Sequence, residues 1–144
     1  MSANLDTARR IPQEVMNQGN VQVIDEVSVD NVIDHDPPPP GFPPGNEGFK
    51  AFVTAFRQAF PDLHYDIDQE IEAGDLITQV VTGSGTMQGE FAGMPATGKR
   101  ATWHEIHVSR IENGKIAEHW GVVDQLKMMQ DLGVIPTPEG APAG

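Results

Sequence analysis

The sequence predicts one α+β domain in which helices cover one face of a curved, mixed and mostly antiparallel sheet. Apolar residues recur at helical spacing early in the chain and again near its end, whereas a period of two runs through much of residues 63–123. Helices first and consecutive antiparallel strands afterwards are typical of α+β proteins. The length of 144 residues indicates a single domain over residues 1–136, and we expect the tail, residues 137–144, to be disordered.

The N-terminal part has the features of two helices and a strand. Residues 4–18 are helical in pattern, and Pro12 is expected to kink or break this helix unless it lies in a first turn. Residues 21–26 are predicted as a short second helix and residues 29–35 as a strand. The apolar positions of the first helix are Leu5, Ala8, Ile11 and Val15.

A proline-rich segment, PPPPGFPPG, follows this strand and is predicted to be an extended loop, because it cannot form regular structure. Asn46 can then cap a helix that runs to about Ala59 and stops before Pro61. One face of that helix is an apolar stripe. It consists of Phe49, Phe52, Val53, Phe56 and Phe60.

Strand patterns dominate the second half of the chain. Residues 63–72 and 76–87 are predicted strands joined by the turn Ala73-Gly74-Asp75, and residues 91–98 form a loop. Two long strands within residues 97–124 are joined by Asn113-Gly114, a dipeptide that tolerates the positive φ angles of a type I′ turn. A short helix is predicted over residues 124–132.

This hairpin turn sets a predicted register. If Glu112 lies opposite Lys115, then His107 lies opposite Trp120, and alternation assigns ten residues to one face. Apolar walls that hold a few polar groups are typical of a small-molecule pocket. The ten residues are Trp103, Glu105, His107, Ser109, Ile111, Ile116, Glu118, Trp120, Val122 and Asp124. The opposite face is expected to carry His104, Ile106, Val108, Arg110, Ala117, His119, Gly121 and Val123.

Composition and spacing argue against several kinds of function. The absence of cysteine excludes disulfides, thiolate metal sites and cysteine nucleophiles. A net charge of −12 is unfavourable for binding nucleic acid or anionic lipid surfaces. No apolar run approaches the ~20 residues of a membrane span, and the N-terminus lacks a signal-peptide pattern, so we expect a cytoplasmic protein. His104 and His107 have H-x-x-H spacing, but on a strand they face opposite ways, so no metal site is expected.

Four segments together resemble the SnoaL-like polyketide cyclases, or ester cyclases, of the nuclear transport factor 2-like superfamily. They are AFPDL (residues 59–63), EAGD (72–75), GTMQGEFAGMPATGK (85–99), and RIENGKIAEHW with the following D and QDLG (110–133). The resemblance spans roughly residues 4–136. It implies a cone-shaped barrel whose curved sheet wraps around the N-terminal helices and encloses a deep, mostly apolar cavity, commonly as a homodimer.

The resemblance also implies a reaction and two site residues. In the family, an Asp that closes the HW…D motif is the proposed general acid/base of an intramolecular aldol ring closure that needs no metal or cofactor. Asp124 resembles that residue. His35, in VIDHDP, resembles a cavity-lining histidine that follows the first strand.

The residues themselves support these candidates and leave alternatives. A carboxylate at Asp124 beside Trp103 and Val122 would be partly desolvated, which suits proton transfer, although an Asp before a helix is also a good N-cap. His107 either orients a substrate carbonyl or is a buried structural histidine. It lies ~13 Å along the strand from the predicted partner of Asp124, so a direct His107–Asp124 dyad is not expected. The predicted cavity residues are Trp103, Glu105, Trp120, Val122, Tyr65 and Phe56.

We therefore expect a cofactor-independent cyclase or isomerase that abstracts a proton α to a carbonyl of a small apolar substrate. Asp124 would move the proton, and His35 and His107 would donate hydrogen bonds to the enolate oxygen. A non-catalytic ligand-binding or dimerisation module of the same fold is one alternative. An epoxide hydrolase is another, although Arg110 is expected on the wrong face for it. A homodimer is expected through the strip of Ile106, Val108, Ala117 and Val123.

Overall fold

The computed structural model describes residues 2–137, so the predicted disordered tail lies, beyond its first residue, outside the described residues. The helices are α1 (Ala3–Arg10), α2 (Val23–Val27), α3 (Gly45–Ala59) and α4 (Gln125–Leu132). The strands are β1 (Ser28–Asp34), β2 (His64–Ala73), β3 (Leu76–Thr86), β4 (Arg100–Glu112) and β5 (Lys115–Val123). Their order along the chain confirms the predicted α+β class.

The predicted disruption at Pro12 takes the form of a π-helical segment, Ile11–Met16, which continues α1. Proline has no amide proton, and its ring clashes with the carbonyl oxygen four residues earlier in a regular α-helix. A wider π turn relieves that clash while Val15 and Met16 remain buried. In the described part of the chain, no helix has the length and apolar character needed to cross a membrane.

The five strands form one curved mixed sheet in the order β1-β5-β4-β3-β2. β1 runs parallel to β5, and the other neighbouring pairs are antiparallel. One face, which we call the inner face, packs against the helical layer. There the Trp103 ring lies 6.0 Å from the ring of Phe56 in α3 and 6.1 Å from that of Phe60. The opposite side of the sheet is the outer face.

Trp103 is the largest fully buried side chain of this core. Its indole ring fits because Gly83 lies opposite it in β3 and has no side chain. A Cβ atom at Gly83 would come within 2.6 Å of the ring, closer than such atoms approach. The glycine therefore sets the position of the indole on the inner face.

The predicted hairpin turn is confirmed, and so are the two residue pairs next to it. Asn113 and Gly114 have φ angles of 52° and 79°, and Glu112 pairs with Lys115. Beyond Ile116 the predicted register was wrong. Ile111 pairs with Ile116 but Arg110 pairs with Glu118, so a β-bulge leaves Ala117 without a partner in β4.

The bulge reverses the facing of the rest of β5, because a shift of one residue exchanges the two faces of a strand. His107 lies opposite Gly121, and Val108 lies opposite Trp120. Ile116 and Ala117 are both 5% exposed, so the bulge buries two consecutive apolar residues that regular alternation would separate. Three residues predicted to line the pocket lie on the outer face instead: Glu118, Trp120 and Val122. Three predicted to lie outside are on the inner face: His119, Gly121 and Val123.

Two of the four residues predicted to form the dimer strip lie on the outer face. Ile106 and Val108 lie on the outer face, whereas Ala117 is buried and Val123 packs against the core. The outer face also carries Arg110, as predicted, where its guanidinium donates to Glu118 at 3.0 Å.

Candidate active site

A continuous line of hydrogen bonds joins five side chains on the inner face. It runs from Tyr65 in β2 through Glu105 and His107 in β4 and His119 in β5 to Asp34, the last residue of β1. The successive distances are 2.5, 2.7, 2.9 and 2.7 Å. We call these residues the inner polar line. Four strands contribute to it, so it exists only in the folded sheet.

Glu105 is a buried negative charge at the inner end of this line. Only 5% of the residue is exposed. Its Oε2 accepts hydrogen bonds from the Tyr65 hydroxyl and the Trp103 indole N–H, and its Oε1 accepts one from His107. Burial disfavours the carboxylate, but the His107 imidazole and the other donors outweigh burial and hold the pKa of Glu105 below its ordinary value of 4.5. Glu105 is therefore ionised at neutral pH.

Tyr65 keeps its proton beside that carboxylate. Burial, and then the negative charge of Glu105, raise the pKa of Tyr65 well above its ordinary value of 10.0. The phenol thus acts as a fixed hydrogen-bond donor to Glu105. The Trp103 indole donates to the same oxygen at 2.7 Å and completes the inner end of the line.

Hydrogen-bond accounting determines the charge of the two imidazoles. His107 Nε2 donates to Glu105, and His119 Nδ1 donates to Asp34. The other two ring nitrogens face each other at 2.9 Å, and a hydrogen bond between them requires one more proton. Three protons on four nitrogens amount to one neutral imidazole and one imidazolium. With every one of these bonds formed, the pair carries a single positive charge between two carboxylates.

The line becomes more accessible towards β1. The side-chain exposure is 6% at Glu105, 25% at His107, 22% at His119 and 29% at Asp34. Burial disfavours the charged form of Asp34, but the hydrogen bond and charge of His119 outweigh it, so the pKa of Asp34 lies below its ordinary value of 3.8. The imidazoles can therefore be reached from solvent more readily than the Glu105 side chain.

Aromatic side chains from two long loops extend the apolar inner face beside this line. Phe91, in the loop before β4, lies 5.2 Å from Phe56 and 5.9 Å from Phe52. Phe42, in the proline-rich loop, packs edge-on against Phe52 at 5.9 Å. Apolar walls next to a few placed polar groups are typical of sites for small apolar molecules.

Five predicted site residues lie together on or against the inner face, as the sequence indicates. They are His107, Glu105, Trp103, Tyr65 and Phe56. Trp120 and Val122 are 36% and 66% exposed on the outer face, because of the bulge at Ala117.

His35 and Asp124 make their hydrogen bonds outside the inner polar line. The His35 ring stacks on Trp120 at 5.0 Å and bonds Glu118 at 2.7 Å, both on the outer face. Asp124 is exposed and caps α4, since its Oδ1 accepts the Lys127 amide at 3.1 Å. The cap predicted as the alternative role of Asp124 is therefore present.

The sequence prediction missed His119, Asp34, Asp36 and Gly121. Gly121 was the signal that could have found them, because a glycine within a strand often marks a bulge or a close approach. A Cβ atom there would lie 2.7 Å from His107 Nδ1 and 3.1 Å from Asp36 Oδ2. Asp34 and Asp36 flank His35, so alternation turns both of them inward when His35 points outward.

A groove of about 260 Å³ lies beside the N-terminus of α4. Its lining is His104, Glu105, Ile106, Val122, Val123 and Asp124. Since neither imidazole of the inner polar line contributes to this groove, the deep cavity expected from the sequence stays a prediction. Among residues 2–137, no three His, Asp or Glu side chains are arranged to share a metal ion.

The model of the SnoaL-like polyketide cyclase family matches residues 6–132. The chain belongs to the SnoaL-like polyketide cyclase family. This SnoaL-like chain is 33% identical over 147 residues to the aklanonic acid methyl ester cyclase DnrD of Streptomyces peucetius, with 97% of this chain and 98% of that protein covered.

Solved structures confirm the nuclear transport factor 2-like fold of this SnoaL-like protein. TsrD from Streptomyces laurentii superposes with a TM-score of 0.82 at 26% identity, covering 92% of this chain and 96% of that one. Wild-type IdmH from Streptomyces antibioticus gives a TM-score of 0.77 at 28% identity, covering 90% and 98%.

The charge of Glu105 makes stability depend on pH in a defined direction. Since its pKa is lowered on folding, its contribution is complete above 4.5 and is lost as the pH falls through the folded-state pKa. We expect Glu105→Gln to lower the free energy of unfolding at neutral pH by about 2–3 kcal/mol, because charged hydrogen bonds are lost. The decline in stability as the pH falls below 4.5 should also be shallower.

Denaturant unfolding followed by circular dichroism at several pH values measures both effects. Glu112→Gln is the matched control, because Glu112 is an exposed glutamate of the same strand. A Glu105→Gln variant with the stability and pH dependence of this control would contradict the buried-carboxylate assignment.

Proposed function

We propose that this chain is a cofactor-independent cyclase that closes a ring in a polyketide ester by an intramolecular aldol reaction. The observation that carries the proposal is the pair of facing imidazoles, His107 and His119, held between the carboxylates of Glu105 and Asp34 on an apolar inner face. The name of the relative DnrD supports a polyketide methyl ester as the class of substrate.

The reaction needs a proton acceptor and stabilisation of negative charge. Removal of a proton α to a carbonyl gives an enolate, whose carbon attacks a second carbonyl of the same molecule and leaves an alkoxide. Return of the proton gives the hydroxyl product. The positive charge shared by His107 and His119 stabilises both oxyanions, because it is preorganised beside the apolar inner face. Glu105 and Asp34 hold that charge in place.

Turnover of aklanonic acid methyl ester tests this proposal. The purified protein, without added cofactor and with EDTA present, should convert the ester to a ring-closed product. His107→Gln should lower kcat by about a hundredfold or more, because the charge between the two carboxylates is disrupted. His104→Gln is the control, since His104 is the exposed histidine on the other face of the same strand. Product formation is followed by chromatography and mass spectrometry.

Asp124 provides a second arm of the same experiment. It is the residue that the family resemblance indicates for proton transfer, and Asn would preserve its helix cap. We expect Asp124→Asn to retain turnover. A hundredfold loss with Asp124→Asn, and none with His107→Gln, would assign the chemistry to the groove beside α4. A native protein that binds the ester without turnover would favour the non-catalytic ligand-binding module.

We also propose a homodimer through the outer face, with a corrected strip. Ile106 pairs with Val122, and Val108 pairs with Trp120, so four apolar side chains form one patch across β4 and β5. Val122 is 66% exposed and Ile106 is 43% exposed, which is unfavourable unless a partner covers them. Cytoplasmic location and the lack of nucleic-acid or membrane partners stay predictions from composition.

Sedimentation velocity at tens of micromolar protein tests the dimer. Val122→Asp should give a monomer, because it places a charge in the centre of the patch. Ile71→Asp, at an exposed apolar residue of β2 on the same face but outside the patch, should weaken the dimer less. A native monomer at this concentration, or equal effects of the two variants, would contradict the assignment of this surface.

A further inference from the structure

We propose that Asp36 is the group that accepts the α-proton of the substrate, next to Gly121 and the His107–His119 pair. The inference rests on the proposed ring closure and assigns its base. Asp36 lies two residues beyond Asp34, on the extension of β1 that continues to pair with β5 through the His35 amide and the His119 carbonyl at 2.9 Å.

The carboxylate of Asp36 and the imidazole of His107 converge on one small volume. Asp36 Oδ2 lies 3.1 Å and His107 Nδ1 lies 2.7 Å from the point where a residue other than glycine would carry its Cβ at position 121. The absence of a side chain at Gly121 therefore lets the His107 ring and the Asp36 carboxylate pack against the same point of β5, which places the carboxylate next to the imidazole pair.

Asp36 differs from the other carboxylates of the site in being free to accept a proton. Glu105 accepts three hydrogen bonds, and Asp34 accepts one from His119 and one from the Asp36 amide at 3.0 Å. Within residues 2–137, no protein donor bonds the Asp36 carboxylate. Its oxygens are therefore available to a substrate without breaking the inner polar line.

The electrostatic surroundings make Asp36 a stronger base than an ordinary aspartate. Asp36 is an exposed residue, but desolvation of its carboxylate raises its pKa above 3.8, the charges of Asp34 and Glu105 act in the same direction, and the His119 and His107 charges only partly oppose them. A base whose pKa is closer to the working pH removes a proton more effectively.

The proposed step balances without any further reagent. The substrate C–H bond breaks as its proton moves to Asp36 Oδ2, and the electron pair of that bond is delocalised onto the carbonyl oxygen as an enolate. The enolate carbon forms the new C–C bond to the second carbonyl carbon, and the proton on Asp36 is returned to the resulting alkoxide. The nearby imidazolium stabilises the negative charge at each stage.

Two readouts with aklanonic acid methyl ester test this assignment: ring closure, and exchange of the substrate α-hydrogen in D2O followed by NMR and mass spectrometry. Asp36→Asn should lower both rates by about a hundredfold or more. The melting temperature should change little, because the Asp36 carboxylate bonds no other group of the described chain. Asp30→Asn, at an exposed aspartate of the same strand, is the control and should keep both rates.

The outcomes separate the two proposals. If the native protein cyclises the ester and Asp36→Asn retains both rates, Asp36 is not the base, while the cyclase assignment stands. If the native protein neither exchanges nor cyclises the ester, both proposals are overturned. Gly121→Ala adds a geometric test: a folded variant should lose turnover, because its Cβ would displace His107 or Asp36, and full turnover would show that the placement of these two groups at Gly121 is not needed.

Discussion

The negative charge that β4 buries at Glu105 is the constraint on which the rest of the site depends. A carboxylate that is only 5% exposed is unstable unless donors surround it, and one of its three donors is His107. The second nitrogen of that ring then needs a partner, which His119 provides. The other ring nitrogen of His119, Nδ1, in turn donates to Asp34. One buried charge thus organises a path across four strands to the accessible edge of the sheet.

An irregularity in β5 makes this path possible. The bulge at Ala117 turns His119, rather than Trp120, towards His107, and Gly121 leaves room for the His107 ring. A regular strand would place an indole where the second imidazole lies, and the hydrogen-bonded line would end at His107. The same irregularity moves apolar side chains to the outer face, so one bulge shapes both the site and the proposed dimer surface.

The order of the elements could be predicted from the sequence because periodicity, proline and turn dipeptides are local signals. Asn113-Gly114 likewise specified the turn and the pairs beside it. The facing of residues beyond Ala117 could not be predicted, since it depends on whether the helical layer buries both Ile116 and Ala117, which are adjacent in sequence. Glu105 and His107 were found because β4 is regular. Asp34 and Asp36 were missed because their place in the site comes from the parallel pairing of β1 with β5, which joins segments far apart in the chain.

The measurement that tests this account most directly is the protonation state of the histidine rings, read by ¹⁵N NMR of protein labelled in histidine. At neutral pH, His107 and His119 should together carry three ring protons, with one proton shared between facing nitrogens. His64, an exposed histidine of β2, provides an internal reference in the same spectrum. Two neutral rings with two protons in total, or two imidazolium rings with four, would contradict the single charge between Glu105 and Asp34 and with it the proposed electrostatic basis of the site.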